Sequence, residues 1–243
     1  MPMAGRGSRF SRDGIALPKP LIDLEGRPFF WWATESVRRA APVEALVYVV
    51  LEDHVREHEI DRRIREFYPE AEVIALPDVT GGAAETAYLG LAGVKGAGPI
   101  AVNDCDHVFL CTGLPAATAE LSAGADGGLM CFRSDSPAYS YIALNERGEL
   151  TGTVEKQVVS TFAIAGCYLF ANPSMFGELY CRYRDLCPYD ELFISGLYNL
   201  LADDGGRLIK VEADQHCSFG TPEELSRVTP AIFAPFRAWK ESP

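Results

Sequence analysis

Positive charge is scarce in this chain. Its 243 residues carry 22 Lys and Arg against 34 Asp and Glu, a formal net charge of −12. That balance argues against a nucleic-acid partner, whose docking surface would be basic. It leaves room for a free nucleotide, which needs only a local positive pocket. Also lacking are a signal peptide and any apolar run of the ~20 residues that a bilayer demands, so no membrane partner is expected. Paired cysteines are lacking too: the seven cysteines are odd in number and none forms a C-x-x-C pair. Cys105, Cys111, Cys131 and Cys167 lie in or beside apolar, strand-like runs and read as reduced core residues, which implies a cytoplasmic setting. No internal repeat, low-complexity segment or linker is visible, so residues 1–243 read as a single domain. A Walker A loop, G-x-x-x-x-G-K-[ST], is absent. The Rossmann fingerprint fails as well, because its third glycine falls where Phe10 stands.

What is present is a hydrophobic fraction of 48%, enough for a large core and against disorder. The chain is organised around Met3-Ala4-Gly5-Arg6-Gly7-Ser8-Arg9-Phe10, followed by Leu17-Pro18-Lys19-Pro20-Leu21. Small residues let backbone N–H groups converge on an anion, and Arg6, Arg9 and Lys19 share its charge, so the stretch suits a polyphosphate. Such a loop normally follows a buried strand of about five residues, and only four residues precede Gly5. Either that strand is very short or the natural reading frame starts earlier. In the second case a few added apolar residues are expected to stabilise the protein by restoring ladder partners.

The rest of the first half alternates regularly. Pro28 opens a helix with Phe29, Phe30, Trp32, Ala33 and Val37 on its apolar side. Ala45–Leu51 is an unbroken apolar run, as expected of a parallel strand buried on both faces. Asp53 caps a charged helix running to about Tyr68, Ala71–Leu76 is a strand, and Thr80-Gly81-Gly82 leads into a helix over 83–92. Pro99–Asn103 is a strand that ends in Asp104-Cys105-Asp106-His107. This pattern predicts an α/β, doubly wound, Rossmann-like sheet, with ligands at the carboxyl ends of its strands. Strands over 128–132, 141–145, 150–154, 164–170 and 207–211, the second and third joined by a short turn, make the sheet mixed but mostly parallel. Helices are expected around 174–183, around 191–201 and from Thr221 onwards.

Carboxylates at a strand end can hold Mg²⁺ against nucleotide phosphates; otherwise such an aspartate only caps the next turn. Asp106 suits the metal better than Asp104. Gly81 and Gly82 either open a helix or present backbone to a nucleobase. Glu155-Lys156 by itself reads as a surface ion pair on an edge strand. His54 and His58 stand four apart on a charged helix without a third ligand and read as a solvated face. Tyr139 and Tyr141 suit a pocket or hairpin packing equally.

The G-x-G-S-R-F loop with Pro-Lys-Pro-Leu, the Asn103-Asp104-Cys105-Asp106 strand end and the ending Gly220-Thr221-Pro222-Glu223-Glu224-Leu225 together resemble the nucleotidyltransferases that make sugar nucleotides and related activated compounds. The likeness runs from Met3 to Leu225 and implies a fold of the GT-A-like nucleotidyltransferase type. It implies transfer of NMP from an NTP to a sugar phosphate or other phosphorylated or phosphonate acceptor, with release of pyrophosphate and with Mg²⁺ as cofactor. The stretch Phe132–Pro137 with Tyr141 and Glu155-Lys156 looks most like a subgroup tied to surface-polysaccharide biosynthesis, in which CTP or UTP is the favoured nucleotide. On this reading Arg9, Lys19 and Asp106 are catalytic. Ala4, Gly5, Gly7, Ser8, Gly81, Gly82 and Asn103 bind nucleotide, Glu155, Lys156 and Gly166 bind the acceptor, and Asp106 holds the metal. Many members carry a second metal aspartate two residues before the glycine of the ending. Here Ser218 stands in that place, with Asp104, Asp214 or Glu212 as replacement candidates. A GT-A-type glycosyltransferase consuming a sugar nucleotide, or a non-catalytic nucleotide-binding protein, are the other readings.

Overall fold

A computed structural model describes residues 1–94 and 96–241. The elements in chain order are α1 (Ser8–Arg12), β1 (Asp23–Leu24), β2 (Arg27–Pro28), α2 (Phe29–Ala40), β3 (Val47–Leu51), α3 (Glu52–His58), α4 (Ile60–Phe67), β4 (Glu72–Leu76), α5 (Ala83–Leu91), β5 (Ile100–Asn103), β6 (His107–Leu110) and α6 (Leu114–Ser122). They continue with β7 (Gly127–Arg133), β8 (Tyr141–Leu144), β9 (Leu150–Val154), β10 (Phe162–Phe170), α7 (Pro173–Leu186), α8 (Leu197–Asp203), β11 (Leu208–Glu212), β12 (Gln215–Ser218), α9 (Pro222–Ser226) and α10 (Pro230–Arg237).

The sheet is mostly parallel, as the alternation predicts. β3 pairs in parallel with β4, and the chain start lies along β3, Met3 N donating to Val49 O at 2.7 Å and Val49 N to Met1 O at 3.1 Å. β10 is the reversed strand: it is antiparallel to both β5 and β7, and β11 runs parallel to β7. β5, β7 and β11 therefore share one direction. Strand alternation sorts the side chains into layers. Leu129 and Cys131 of β7 pack with α5, α7 and α8, whereas Met130 between them packs with α6. Around α2, Phe29, Phe30, Trp31 and Trp32 meet Phe233, Phe236 and Trp239 from the C-terminal helices. Burying each such ring is worth about 1.5–3 kcal/mol, and the Trp32 indole donates its N–H to Leu24 O at 2.8 Å. All seven cysteines are free thiols and five are buried, in keeping with core residues.

Three expectations need correction. The charged helix breaks at Glu59, whose φ of 50° ends α3 and starts α4. The break redirects the chain so that both Ile60 and Ile64 are fully buried. His54 is buried rather than solvated, and burial lowers its pKa. No helix begins at Glu191, because the Leu192 backbone is already engaged: its N–H donates to Gly81 O, and its carbonyl accepts from Ala84 N, both at 2.9 Å. The helical turns start at Ile194.

That engagement explains Gly82. With φ 155° and ψ 180° it occupies a region open essentially to glycine alone, and a Cβ there would stand 2.5–2.9 Å from the Leu192 backbone. Gly82→Ala is expected to destabilise the protein by about 3 kcal/mol, a fall in Tm of roughly 6–10 °C. A thermal melt checks this, and an unchanged Tm would mean that the two segments separate at no cost.

Candidate active site

Six segments line one cleft of about 440 Å³. Residues 2–7 form one side, Lys19 and Pro20 the floor, residues 79–86 a second side, and Asp104, Cys105 and Asp106 the end. The opposite wall is Tyr168 with Glu191, Phe193 and Ile194. Ala4, Gly5, Gly7, Lys19, Gly82 and Asp106 of the sequence-derived set are thus brought together.

Each part has a local cause. Lys19 begins a single 3₁₀ turn between Pro18 and Pro20, whose fixed φ restricts the backbone on both sides. Gly7 lies directly against it, so that a Cβ on Gly7 would be 3.2 Å from Lys19 Cβ. Lys19 Nζ donates to Asp106 Oδ2 at 2.6 Å. Burial alone would lower the ammonium pKa, but the Asp106 carboxylate more than reverses this and holds it well above the ordinary value. Burial works against Asp106 too, yet the charge and hydrogen bond of Lys19 keep its carboxyl below the usual range. Asp104 has no such contact. Burial, then the neighbouring Asp106 charge, push it up to about 7. Burial also pushes the Cys105 thiol up to about 12, so it is no nucleophile at neutral pH.

The C-terminal ending sets Asp106. Phe219 N donates to Asp106 O at 2.9 Å, and a Cβ on Gly220 would collide with Asp106 Oδ2. Thr221 then caps α9, its Oγ1 accepting from Glu224 N at 3.1 Å. The Gly-Thr-Pro signature is therefore a cradle for a carboxylate as well as a helix start.

Other sequence-derived residues are placed differently. Arg9 is exposed on α1, outside the cleft lining, and Ser8 is exposed beside it; Arg6 lines the cleft and pairs with Asp53 at 3.2 Å. Gly81 uses both backbone groups internally, its N–H donating to Glu85 Oε2 at 2.6 Å and its carbonyl accepting from Leu192. Asn103, expected to bind nucleotide, is buried and spends its amide inside the protein, Nδ2 donating to Ala33 O at 2.9 Å and Oδ1 facing His107 Nε2 at 3.0 Å. Gly166, expected to admit the acceptor, admits Asp104 instead. Its φ is +75°, a Cβ would lie 2.9 Å from Asp104 Oδ2, and its carbonyl accepts from Asp104 N at 2.8 Å. Glu155 accepts hydrogen bonds from the Ser140 and Ser195 hydroxyls, and Lys156 Nζ stands 5.4 Å from the Phe193 ring centroid, on the cleft wall. Glu212 and Asp214 are far from Asp106 along the sheet: Glu212 pairs with Arg133 at 3.0 Å, and Asp214 accepts from Thr112 N at 2.7 Å. β12 runs antiparallel to β6, with Ser218 opposite His107 and Gln215 opposite Leu110. Tyr141 is buried and donates to Ser136 O at 2.8 Å, which makes it a hairpin residue. Tyr168 lies in the stretch Ala165–Tyr168, whose likeness to a pocket-floor strand the sequence displays, whereas the sequence reading missed Phe193 and Ile194. Only their position against Gly82 and Asp104 marks them, and no local pattern encodes it.

The donors at the end of the cleft suit Mg²⁺. Asp106 and Asp104 supply hard oxygen atoms, while the described residues contain no group of three or more His, Cys, Asp or Glu able to hold a metal ion on their own. Such a site fits an ion that keeps waters and completes its shell with phosphate oxygens. Among the described residues no helix is long and apolar enough to cross a membrane.

Comparison with known proteins agrees with this geometry. No curated protein matches the chain by sequence. Among solved structures, the nucleoside-diphosphate-sugar pyrophosphorylase from Vibrio cholerae RC9 is 25% identical with a TM-score of 0.76, over 93% of this chain and 96% of that one. The inositol-1-phosphate CTP transferase from T. maritima is 16% identical with a TM-score of 0.79, over 99% of this chain and 94% of that one. The family model of the MobA-like NTP transferase domain matches residues 3–179, and the chain belongs to that family of nucleotidyltransferases.

Proposed function

We propose that the protein transfers NMP from a pyrimidine triphosphate, CTP or UTP, to a sugar phosphate or another phosphorylated or phosphonate acceptor. The observation that carries this is the Lys19–Asp106 pair set at the end of a glycine-lined cleft. An acceptor phosphate oxygen attacks the α-phosphorus, the bond to the β-phosphate oxygen breaks, and pyrophosphate leaves. The attacking oxygen is already ionised at neutral pH, so no general base is needed. The work is alignment of two anions and relief of their repulsion. Lys19 stands where charge develops around the α- and β-phosphates. The loop from Ala4 to Ser8 holds the phosphates, Gly82 with Thr80 and Thr86 faces the base, and Lys156 receives the acceptor phosphate beside Phe193. Glu155, fixed by two serines, sets the turn that presents Lys156. Mg²⁺, when bound at Asp106, offsets phosphate charge. The surface-polysaccharide role rests on the subgroup resemblance, and the choice of CTP accords with the name of the T. maritima structure.

Pyrophosphate release, measured with each NTP and a panel of sugar phosphates and phosphonates, tests the reading. Release of a nucleoside diphosphate from a sugar nucleotide, with no pyrophosphate from any NTP, would overturn it.

The two arginines divide the work. Arg6 is held by Asp53, a carboxylate it shares with Arg56, whereas Arg9 has no ion pair among the described residues, so Arg9 is the cation free to meet a triphosphate. Arg9→Ala is expected to weaken NTP binding about tenfold and Arg6→Ala less, as read by calorimetric titration. The reverse order would transfer the role to Arg6.

A further inference from the structure

Position 218, at the end of β12 opposite His107, holds a serine and so offers no carboxylate. The neighbouring α9 offers another carboxylate. Its first turn contains Glu223 and Glu224. Glu223 is exposed and pairs with Arg227 at 2.5 Å. Glu224 turns inward, and its two oxygens have different surroundings. Oε1 accepts the Tyr139 hydroxyl at 2.6 Å. Oε2 lies 3.4 Å from the point a Cβ would occupy on Gly220, the same point at which that Cβ would collide with Asp106 Oδ2. The two carboxylates thus border one small space left by a glycine. Ser218 ends β12 two residues before Gly220 and Glu224 lies in α9 four residues after it, so the two positions flank that glycine from different elements.

Two carboxylates brought to one space repel each other, and Lys19 on Asp106 Oδ2 answers only one of the two charges. Tyr139 orients one glutamate oxygen and leaves the other bordering the space at Gly220 that Asp106 also borders. A hydrogen bond on the outer oxygen of a metal-binding carboxylate is the usual device for aiming it. We propose that Glu224, positioned by Tyr139, supplies the second protein carboxylate for the divalent cation, replacing the acid missing at position 218. The proposal rests on the nucleotidyltransferase reading given above.

Mn²⁺ is the probe, its binding followed by electron paramagnetic resonance with and without the α,β-methylene analogue of each NTP. Glu224→Gln keeps an acceptor for Tyr139 and removes the charge. It is expected to weaken analogue-dependent Mn²⁺ binding by roughly tenfold or more, while Glu223→Gln binds as the wild type does. Ser218→Asp added to Glu224→Gln is expected to restore most of the affinity, because the acid returns to the same space. Wild-type Mn²⁺ affinity in Glu224→Gln, alongside loss in Asp106→Asn, would overturn the proposal and leave the nucleotidyltransferase reading standing. Wild-type protein whose Mn²⁺ binding no analogue strengthens would overturn that reading and the proposal with it.

Discussion

Lys19→Ala should lower turnover by about a hundredfold or more while the protein stays folded. The lysine is fixed at three points: its backbone between two prolines, its Cβ against Gly7, and its ammonium on Asp106. A cation so prearranged has little left to reorganise when a triphosphate arrives, and losing such a contact in the transition state typically costs ~3 kcal/mol or more. The fold survives because the apolar neighbours Pro20 and Leu21, which are buried, remain in place. Pyrophosphate release at saturating substrates measures the loss, and a circular-dichroism spectrum with a cooperative melt confirms the fold. Wild-type rates in the folded variant would remove Lys19 from the mechanism.

Asp106→Asn should abolish metal-dependent turnover, whereas Asp104→Asn should reduce it far less. The two aspartates differ in every surrounding. Asp106 faces Lys19 and the Gly220 cradle and is kept ionised. Asp104 is packed against Gly166, held by a backbone hydrogen bond, and its carboxyl is pushed up to about 7 by burial and by Asp106. An amide can take the place of a carboxyl in that packed position but cannot replace the anion that answers a cation. The measurement is turnover against Mg²⁺ concentration for both variants. Equal losses would make the aspartates a joint metal site.

Much of this was legible in the sequence, and the parts that were not share a cause. The Gly5–Gly7 loop, the Pro-Lys-Pro element and Asp106 are local signals, since spacing alone puts a cation after a small-residue turn and a carboxylate after an apolar strand. The α/β class with a mostly parallel sheet followed from alternation in the same way. Asn103, by contrast, reads as a ligand residue because it precedes the acidic pair, yet its amide bonds to Ala33 and faces His107. Gly166 reads as a gap for substrate, yet the gap is filled by Asp104, which directly follows β5. Leu192 reads as helix and is instead a backbone partner of Gly81 and Ala84. Each misreading comes from a long-range contact that overrides a local preference, and one sequence alone does not display such contacts.

The tie between residues 81–84 and Leu192, and that between Asp106 and Phe219, have a consequence for biogenesis. A nascent chain emerging residue by residue can pair β3 with β4 and form α5 early. The cleft wall at Gly81–Ala84 lacks its backbone partner until residue 192 has left the ribosome, and the anchor of Asp106 is absent until residue 219 has done so. Both lie beyond the segment matched by the family, which ends at residue 179. A chain released early would therefore contain nearly all the family signature and no assembled site, so the order of synthesis itself keeps incomplete copies from turning over nucleotide.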